Sequence, residues 1–242
     1  MYYDQYKYVT ADEKKRKAQK KIEKLLKDGK NIKPVIITGR KLSTTWWGQA
    51  WSKNLESYSD YVSRLPRGRS YVRNNAVIDL QIKKGKVKAK VMGSRSRAYT
   101  VEIDIEKIPL GSLTEIQDRC KNQIESLQDL LAGNFPKDLG DIFTSPQVGL
   151  FPSPEEINFS CSCPDWAYMC KHVAAVLYGI GARFDENPKL FFELRQINIK
   201  SFIKEAVKKR AKKMLKNSKK KSSRTIKEDN LEELFNIDLS AK

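Results

Sequence analysis

The feature that most constrains this chain is a cluster of four side chains able to bind one metal ion. About a dozen residues contain three of the four cysteines and the only histidine of the sequence, namely Cys161, Cys163, Cys170 and His172. The first pair follows an apolar stretch that predicts a strand, and the second pair precedes a strongly helical segment. Three thiolates and one imidazole complete the tetrahedral shell that structural zinc prefers. The sequence therefore predicts one structural Zn²⁺ ion, with the second pair at a helix N-terminus whose dipole favours thiolates.

Other interpretations of this cluster are weaker. A catalytic zinc normally keeps one position for water, and four protein ligands leave none. An iron–sulfur cluster more often takes four thiolates. A lone histidine often merely packs, but its clustering with three cysteines argues against that here. The fourth cysteine, Cys120, falls on an apolar helical stripe and is predicted to be a buried core thiol rather than a ligand or nucleophile.

Alternating apolar and polar residues predict an antiparallel sheet between Arg69 and about Ile108. Gly85 lies in the turn between the first two runs. We expect a meander of three or four strands with one buried face. A further short strand is predicted at residues 34–39. The apolar positions of the three runs are Ile78, Leu80 and Ile82, then Val87, Ala89 and Val91, then Val101, Ile103 and Ile105.

Several helices are predicted from their N-cap residues. Thr10 can begin a basic N-terminal helix that Gly29 ends. The segment Ser43-Thr-Thr can begin a helix reaching about Tyr58, in which Trp47, Trp51 and Leu55 share one face and are expected in the core. Ser112-Leu-Thr-Glu115 reads as a capping box, and Ser201 as the cap of a later lysine-rich helix.

The predicted fold class is α+β, a small antiparallel β-meander with helices plus a Cys-x-Cys, six-residue gap, Cys-x-His zinc finger. Four regions are expected along the chain. They are a basic N-terminal helical arm (1–32), an α+β domain with the sheet (33–145), the zinc finger (146–182), and a helical, basic C-terminal region with an acidic end (183–242).

The charge of the chain favours an acidic partner. Lys and Arg outnumber Asp and Glu by 47 to 29, which gives a formal net charge of +18. Such an excess indicates nucleic acid or an anionic protein surface. Contacts to phosphates would give steep salt dependence and little sequence selectivity. The candidate contacts on predicted strands and loops are Arg64, Arg67, Arg69, Arg73, Lys86, Lys88, Lys90, Arg95 and Arg97.

The zinc cluster and four further motifs resemble a family of uncharacterised bacterial SWIM-type zinc finger proteins. The motifs are Trp47-Gly-Gln-Ala-Trp51, Arg64-Leu-Pro-Arg-Gly-Arg-Ser-Tyr71, Gly149-Leu-Phe-Pro-Ser-Pro154 and Cys170-Lys-His-Val-Ala-Ala175. The resemblance covers roughly residues 34–195. It implies zinc binding, with the four ligands above, and a role in binding DNA or proteins. It also implies an association with helicase-like ATPases. SWIM fingers occur in Mutator-type transposases too, but no acidic catalytic triad is evident here.

Two functions follow as hypotheses. The first is a non-enzymatic module that binds nucleic acid, with DNA favoured over RNA. The second is an adaptor that docks a helicase-like ATPase through the finger helix, the tryptophan segment or the acidic C-terminus. An enzyme is disfavoured because the only histidine is assigned to zinc and no phosphate-binding glycine-rich loop is present. The sequence does not decide whether two of its carboxylates form a catalytic pair, and it does not predict the oligomeric state.

The cellular compartment is predicted from two kinds of segment that the sequence lacks. No apolar run approaches the roughly 20 residues that span a bilayer. The N-terminus lacks the apolar region of a signal peptide. We therefore expect a cytoplasmic protein that does not use a membrane, in which thiols stay reduced and available to metal.

Overall fold

The computed structural model describes residues 10–58, 63–93, 97–123, 129–130, 137–145 and 149–218. Its helices are α1 (Ala11–Lys27), α2 (Trp46–Glu56), α3 (Leu65–Arg73), α4 (Leu110–Cys120), α5 (Gly140–Phe143), α6 (Lys171–Glu186), α7 (Lys189–Leu194) and α8 (Ile199–Ser218). Its strands are β1 (Val77–Lys83), β2 (Lys86–Val91), β3 (Tyr99–Ile105) and β4 (Ile157–Cys161). Short 3₁₀ turns cover Lys137–Leu139 and Pro154–Glu156.

The four strands form one antiparallel sheet in the order β1-β2-β3-β4. The first three are the predicted meander, and a turn at Gly85, whose φ is +70°, joins β1 to β2. The fourth strand comes from the segment just before the metal-binding cluster and pairs with β3 from Val101↔Cys161 to Ile105↔Ile157. The predicted α+β class is therefore confirmed, and the finger contributes a strand to the sheet.

Helix α6 lies at the centre of the molecule. Every residue from His172 to Ala182 is buried, which is the signature of a helix that is apolar all round. One side of α6 contacts the sheet, and helices α2 and α3 pack against it. The predicted core role of the tryptophan segment holds here, because Trp51 and Leu55 are fully buried and Trp47 packs on the same core.

Helix α1 packs on the other face of the sheet through a thin apolar stripe. Ala18 and Ile22 contact Ile78 and Met92 in a small cluster of their own. Thr10 is the N-cap as predicted, and the structure adds a capping box in which Thr10 and Glu13 exchange hydrogen bonds. The basic arm is thus attached to the sheet. Among the described residues, no helix combines the length and the apolar character needed to cross a membrane.

Four local predictions were wrong. Residues 34–39 are not a strand, although Val35 N donates to Val77 O at 2.9 Å beside β1. Residues 69–73 belong to α3 rather than to the sheet, because the helix that begins at Leu65 packs on α6. Helix α4 begins at Leu110, so the Ser112 motif lies inside it. Helix α8 begins at Ile199, and the side chain of Asn198, not Ser201, caps it by accepting from Ser201 N at 3.0 Å.

Candidate metal centre and cationic surface

The sheet and helix α6 bring the two ligand pairs together. Cys161 is the last residue of β4, and the following turn is fixed to β3 because Ser162 N donates to Thr100 O at 3.0 Å. Thr100 N donates in return to Ser162 Oγ at 2.9 Å. Cys170 is the N-cap of α6, and His172 lies in the first turn of that helix. The finger is therefore held by the core of the protein on both sides.

The four donor atoms are spaced for one metal ion. All four lie within 4.8 Å of one another. His172 Nδ1 is 3.9 Å from Cys161 Sγ and 3.8 Å from Cys170 Sγ. A tetrahedral zinc site has ligand–ligand edges of about 3.6–3.8 Å, given its bond lengths. The Cys₃His set thus fits one zinc ion, as the sequence predicted, and the structure adds that Nδ1 is the nitrogen ligand.

Hydrogen bonding and burial give the three thiols of the cluster different pKa values when no metal is bound. The Cys161 thiol donates to Cys170, and this contact, with help from His172 and Val173 N–H, lowers the pKa of Cys170 to about 3. The same contact, together with burial, raises the pKa of Cys161. Burial raises the pKa of Cys163. One thiolate is therefore ready to bind metal, and the two other thiols must lose protons to do so.

Aromatic rings fix the imidazole of His172. The ring centroid of Tyr99 lies 4.4 Å from that of His172, and Tyr71 meets it edge-on at 5.3 Å. The second nitrogen, Nε2, is buried, and within the described part of the chain it has no hydrogen-bond partner. It lies beside Gly93, where an added Cβ would be 3.3 Å away. This packing orients Nδ1 toward the sulfur atoms.

The finger loop, residues 164–169 between the two ligand pairs, carries an exposed tryptophan. Trp166 is 96% exposed, whereas tryptophan is usually largely buried. The loop around it is held: Asp165 Oδ1 accepts from Ala167 N at 3.2 Å, and Arg64 forms an ion pair with Asp165 at 3.7 Å. Tyr168 donates to Ile157 O at 3.1 Å. Sequence reasoning missed Trp166, although an aromatic residue outside any apolar periodicity could have been a signal.

The predicted cationic residues fall into two groups. Arg67, Arg69 and Arg73 lie on α3, which contains no acidic residue, and Arg64 is its N-cap. The strand lysines lie on the open face of the sheet, which is the part of the face opposite α6 that α1 leaves uncovered. There Lys86 pairs with Asp104 and Lys88 with Glu102, both at 2.9 Å. Lys90 and Arg97 are exposed on or next to the strands, and Arg95 lies outside the described residues. The structure thus gathers four arginines on α3 and its N-cap, of which Arg64 and Arg69 are paired with acidic residues. It also pairs two of the strand lysines with acidic residues.

Comparison with known proteins supports the assignment of the finger. Residues 160–179 match the family model of the SWIM zinc finger, and this stretch contains all four ligands. The chain is 37% identical over 148 residues to an uncharacterised protein, Rv2102, from Mycobacterium tuberculosis. The match covers 61% of this chain and 53% of that protein, so the chain spans about half the length of this relative. No solved structure matches the chain.

Proposed function

We propose that this chain, which carries a SWIM zinc finger, is a non-enzymatic module that binds nucleic acid. The observation that carries the proposal is the position of the arginines at the N-terminal end of α3, Arg64 and Arg67, beside the finger loop. The Arg64–Asp165 ion pair joins the start of the helix to the loop that presents Trp166. Cations for phosphates and an aromatic ring for bases are the two elements that a surface for single strands needs.

Helix α3 is arranged to expose its charge. Its buried residues, Leu65, Gly68 and Val72, face α6, and the arginines flank this face on both sides. Arg64 and Arg67 lie toward the finger, and Arg69 and Arg73 toward α2. Nine residues of helix extend about 13 Å, which is enough to follow several phosphates of one strand. Because α3 packs closely on the buried helix α6, these charges are held in place before binding.

Trp166 offers a stacking surface for a base, which is a different kind of contact from the binding of phosphates by arginines. Stacking of a base on an aromatic side chain contributes about 1–3 kcal/mol and requires a base free of its duplex partner. We therefore expect a preference for single-stranded or locally opened nucleic acid. DNA remains favoured over RNA by the family resemblance.

The chemistry of the remaining residues supports a role without catalysis. The only histidine is a metal ligand. The thiol of Cys120 is buried, and burial raises its pKa to about 12, so it is a poor nucleophile. Four protein ligands on the zinc leave no open position for a catalytic water.

The test is fluorescence anisotropy of labelled single-stranded DNA, duplex DNA and RNA with zinc-loaded protein. We expect micromolar or tighter binding at physiological salt, with single strands bound most tightly. Trp166→Ala should weaken single-strand binding about tenfold and duplex binding much less. Leu110→Ala removes another exposed apolar side chain, on α4, and serves as the matched control.

The opposite result would replace the proposal. If binding does not exceed that of a basic peptide of equal charge, phosphate recognition by the fold is excluded. A partner protein, such as a helicase-like ATPase, would then be the ligand to seek. Its docking surface would have to lie outside Trp51 and the middle of α6, since both are buried here.

A further inference from the structure

A cationic groove lies on the side of α3 that faces away from the finger. It has a volume of about 320 Å³ and opens between α2, α3 and the loop at residues 40–43. Its lining includes Arg40 and Lys41 from the loop, Lys53 from α2, Arg73 from α3, and Tyr178 from α6. The volume is at the small end of the range for ligand sites. Residues distant in sequence thus converge on one concave surface.

Four of the cations in this groove are uncompensated. Arg40, Lys41, Lys53 and Arg73 are exposed, and none has an ion-pair partner in the part of the chain that the structure describes. A fifth, Arg69, is neutralised by Glu56 at 2.9 Å. Like charges brought together without a counter-ion repel one another, and a bound anion would relieve this repulsion.

The groove also contains a buried hydroxyl without a partner. Ser43 is 4% exposed, and its Oγ finds no hydrogen-bond partner among the described residues. The close packing of Gly48 and Gly181 against Ser43 confines this side chain. This hydroxyl packs toward Gly181 beneath the groove, where a ligand in the groove does not reach it, so the donors to a ligand are the exposed cations.

Part of the cationic lining is held in place before any ligand arrives. The guanidinium of Arg69 donates from Nε to Tyr178 Oη at 2.9 Å, while Tyr178 donates to Glu56 at 2.8 Å. Arg73 donates to the backbone oxygen of Arg40 at 3.3 Å, which ties helix and loop together. Such prior fixing reduces the entropy lost on binding.

We propose that this groove is a phosphate-binding site, with the four uncompensated cations as its donors. A tetrahedral dianion or a phosphodiester offers the several acceptor oxygens that these donors require. If the bound phosphate belongs to a nucleic-acid strand, the inference rests on the proposed function. A free nucleotide or inorganic phosphate offers the same chemistry, and the experiment separates these sources.

The first arm measures small anions. Full-length, zinc-loaded protein labelled with ¹⁵N is titrated with inorganic phosphate and with a nucleoside monophosphate, with chloride held constant. We expect saturable shifts confined to residues 40–43, α2 and α3. Lys53→Gln and Lys41→Gln should each weaken phosphate binding about threefold to tenfold. Lys24→Gln, on α1 across the sheet, is the matched control for loss of one charge.

A variant that binds phosphate more tightly is the sharpest test, because the loss of a merely structural contact would not strengthen binding. Glu56→Gln removes the carboxylate that neutralises Arg69, so phosphate should bind about threefold to tenfold more tightly. Thermal unfolding and zinc content of each variant show that the fold is retained. If phosphate causes no localised shifts, or if neither Lys53→Gln nor Glu56→Gln changes its affinity, the site does not exist.

The second arm identifies the source of the phosphate. If an oligonucleotide displaces phosphate from the groove and Lys53→Gln weakens both ligands, the groove binds a phosphate of the strand. Phosphate binding without competition would support the site but assign it to a free nucleotide or phosphate. Oligonucleotide binding without any phosphate site would overturn this inference and leave the proposed function standing on α3 and Trp166.

Discussion

Protons compete with zinc for the sulfur atoms of the finger. The raised pKa values of Cys161 and Cys163 keep both thiols protonated near neutral pH in the metal-free protein, whereas Cys170 is already a thiolate. Binding of zinc must therefore release about two protons, and the affinity should increase about 100-fold per pH unit near neutrality. Competition with a chromophoric chelator, at several pH values and corrected for protonation of the chelator, measures this slope.

A matched variant makes the pH experiment specific. Cys120→Ser removes the cysteine outside the finger, which is buried, and should leave the slope unchanged. A zinc affinity that does not change with pH would mean that all three finger thiols are already ionised. That outcome would contradict the hydrogen-bonding arrangement described above.

Single residues differ in how well the sequence predicts their role. The zinc ligands were predictable because both pairs are local in sequence and their residue types are chemically distinctive. The pairing of Lys86 with Asp104 depends on the register between β2 and β3, which the sequence alone does not provide. Arg40 and Lys53 could not be grouped either, because only the packing of α2 and α3 on α6 brings them together.

At the level of elements, residues 69–73 of α3 were predicted as the start of the sheet, and the sequence of this helix explains the error. It has only nine residues, and its sequence offers arginines rather than an apolar stripe. The determining contact is tertiary: a Cβ added at Gly68 would lie 2.5 Å from Ala174 Cβ and 2.8 Å from the Ala174 carbonyl carbon. Glycine at this position allows α3 to approach α6 closely, and no local pattern reports that approach.

This contact predicts the effect of a small substitution. Gly68→Ala adds one methyl group and should favour the isolated helix by about 1 kcal/mol. The clash with the backbone of α6 should exceed this gain, so the free energy of unfolding should fall by about 1–3 kcal/mol. Chemical denaturation with zinc in excess measures the change. Ser70→Ala, at an exposed position of the same helix, is the control and should be neutral or slightly stabilising.

The contrary result has a clear meaning. If Gly68→Ala is as stable as Ser70→Ala, then α3 does not lie close against α6 in solution. The arginines of α3 would then not be held beside the finger loop, and the proposed surface would lose its rigid support.

On the scale of the whole molecule, the zinc site joins the sheet to the central helix. Cys161 ends β4, His172 begins the buried stretch of α6, and α2 and α3 pack on α6 in turn. Structural zinc contributes roughly 10–16 kcal/mol of apparent binding free energy, as much as the whole stability of a typical domain. We therefore expect the finger to unfold without zinc, and the shared core extends this expectation to the sheet.

Chelation should therefore destabilise more than the finger. On removal of zinc we expect hydrogen exchange to accelerate in α6, in β4 and also in β1–β3, with a parallel loss of helical circular dichroism. Added zinc should restore both signals. If β1–β3 keep their protection while α6 exchanges freely, the sheet is stable by itself and the finger is an independent unit.

The charge of the whole chain gives the last prediction, because α3 and the lysine-bearing face of the sheet are two candidate surfaces for the proposed binding of nucleic acid. Each phosphate contact contributes about 0.7–0.9 to the slope of log affinity against log salt. Arg67 is exposed on α3, and Arg67→Gln should lower both the affinity and this slope. Lys88 is paired with Glu102 at 2.9 Å, so Lys88→Gln should change neither by much.

Anisotropy titrations at several salt concentrations decide the matter. If Lys88→Gln reduces the slope and Arg67→Gln does not, nucleic acid binds the open face of the sheet. If Arg67→Gln alone reduces it, α3 is the contact surface, and the ion pairs on the sheet serve to keep that face neutral.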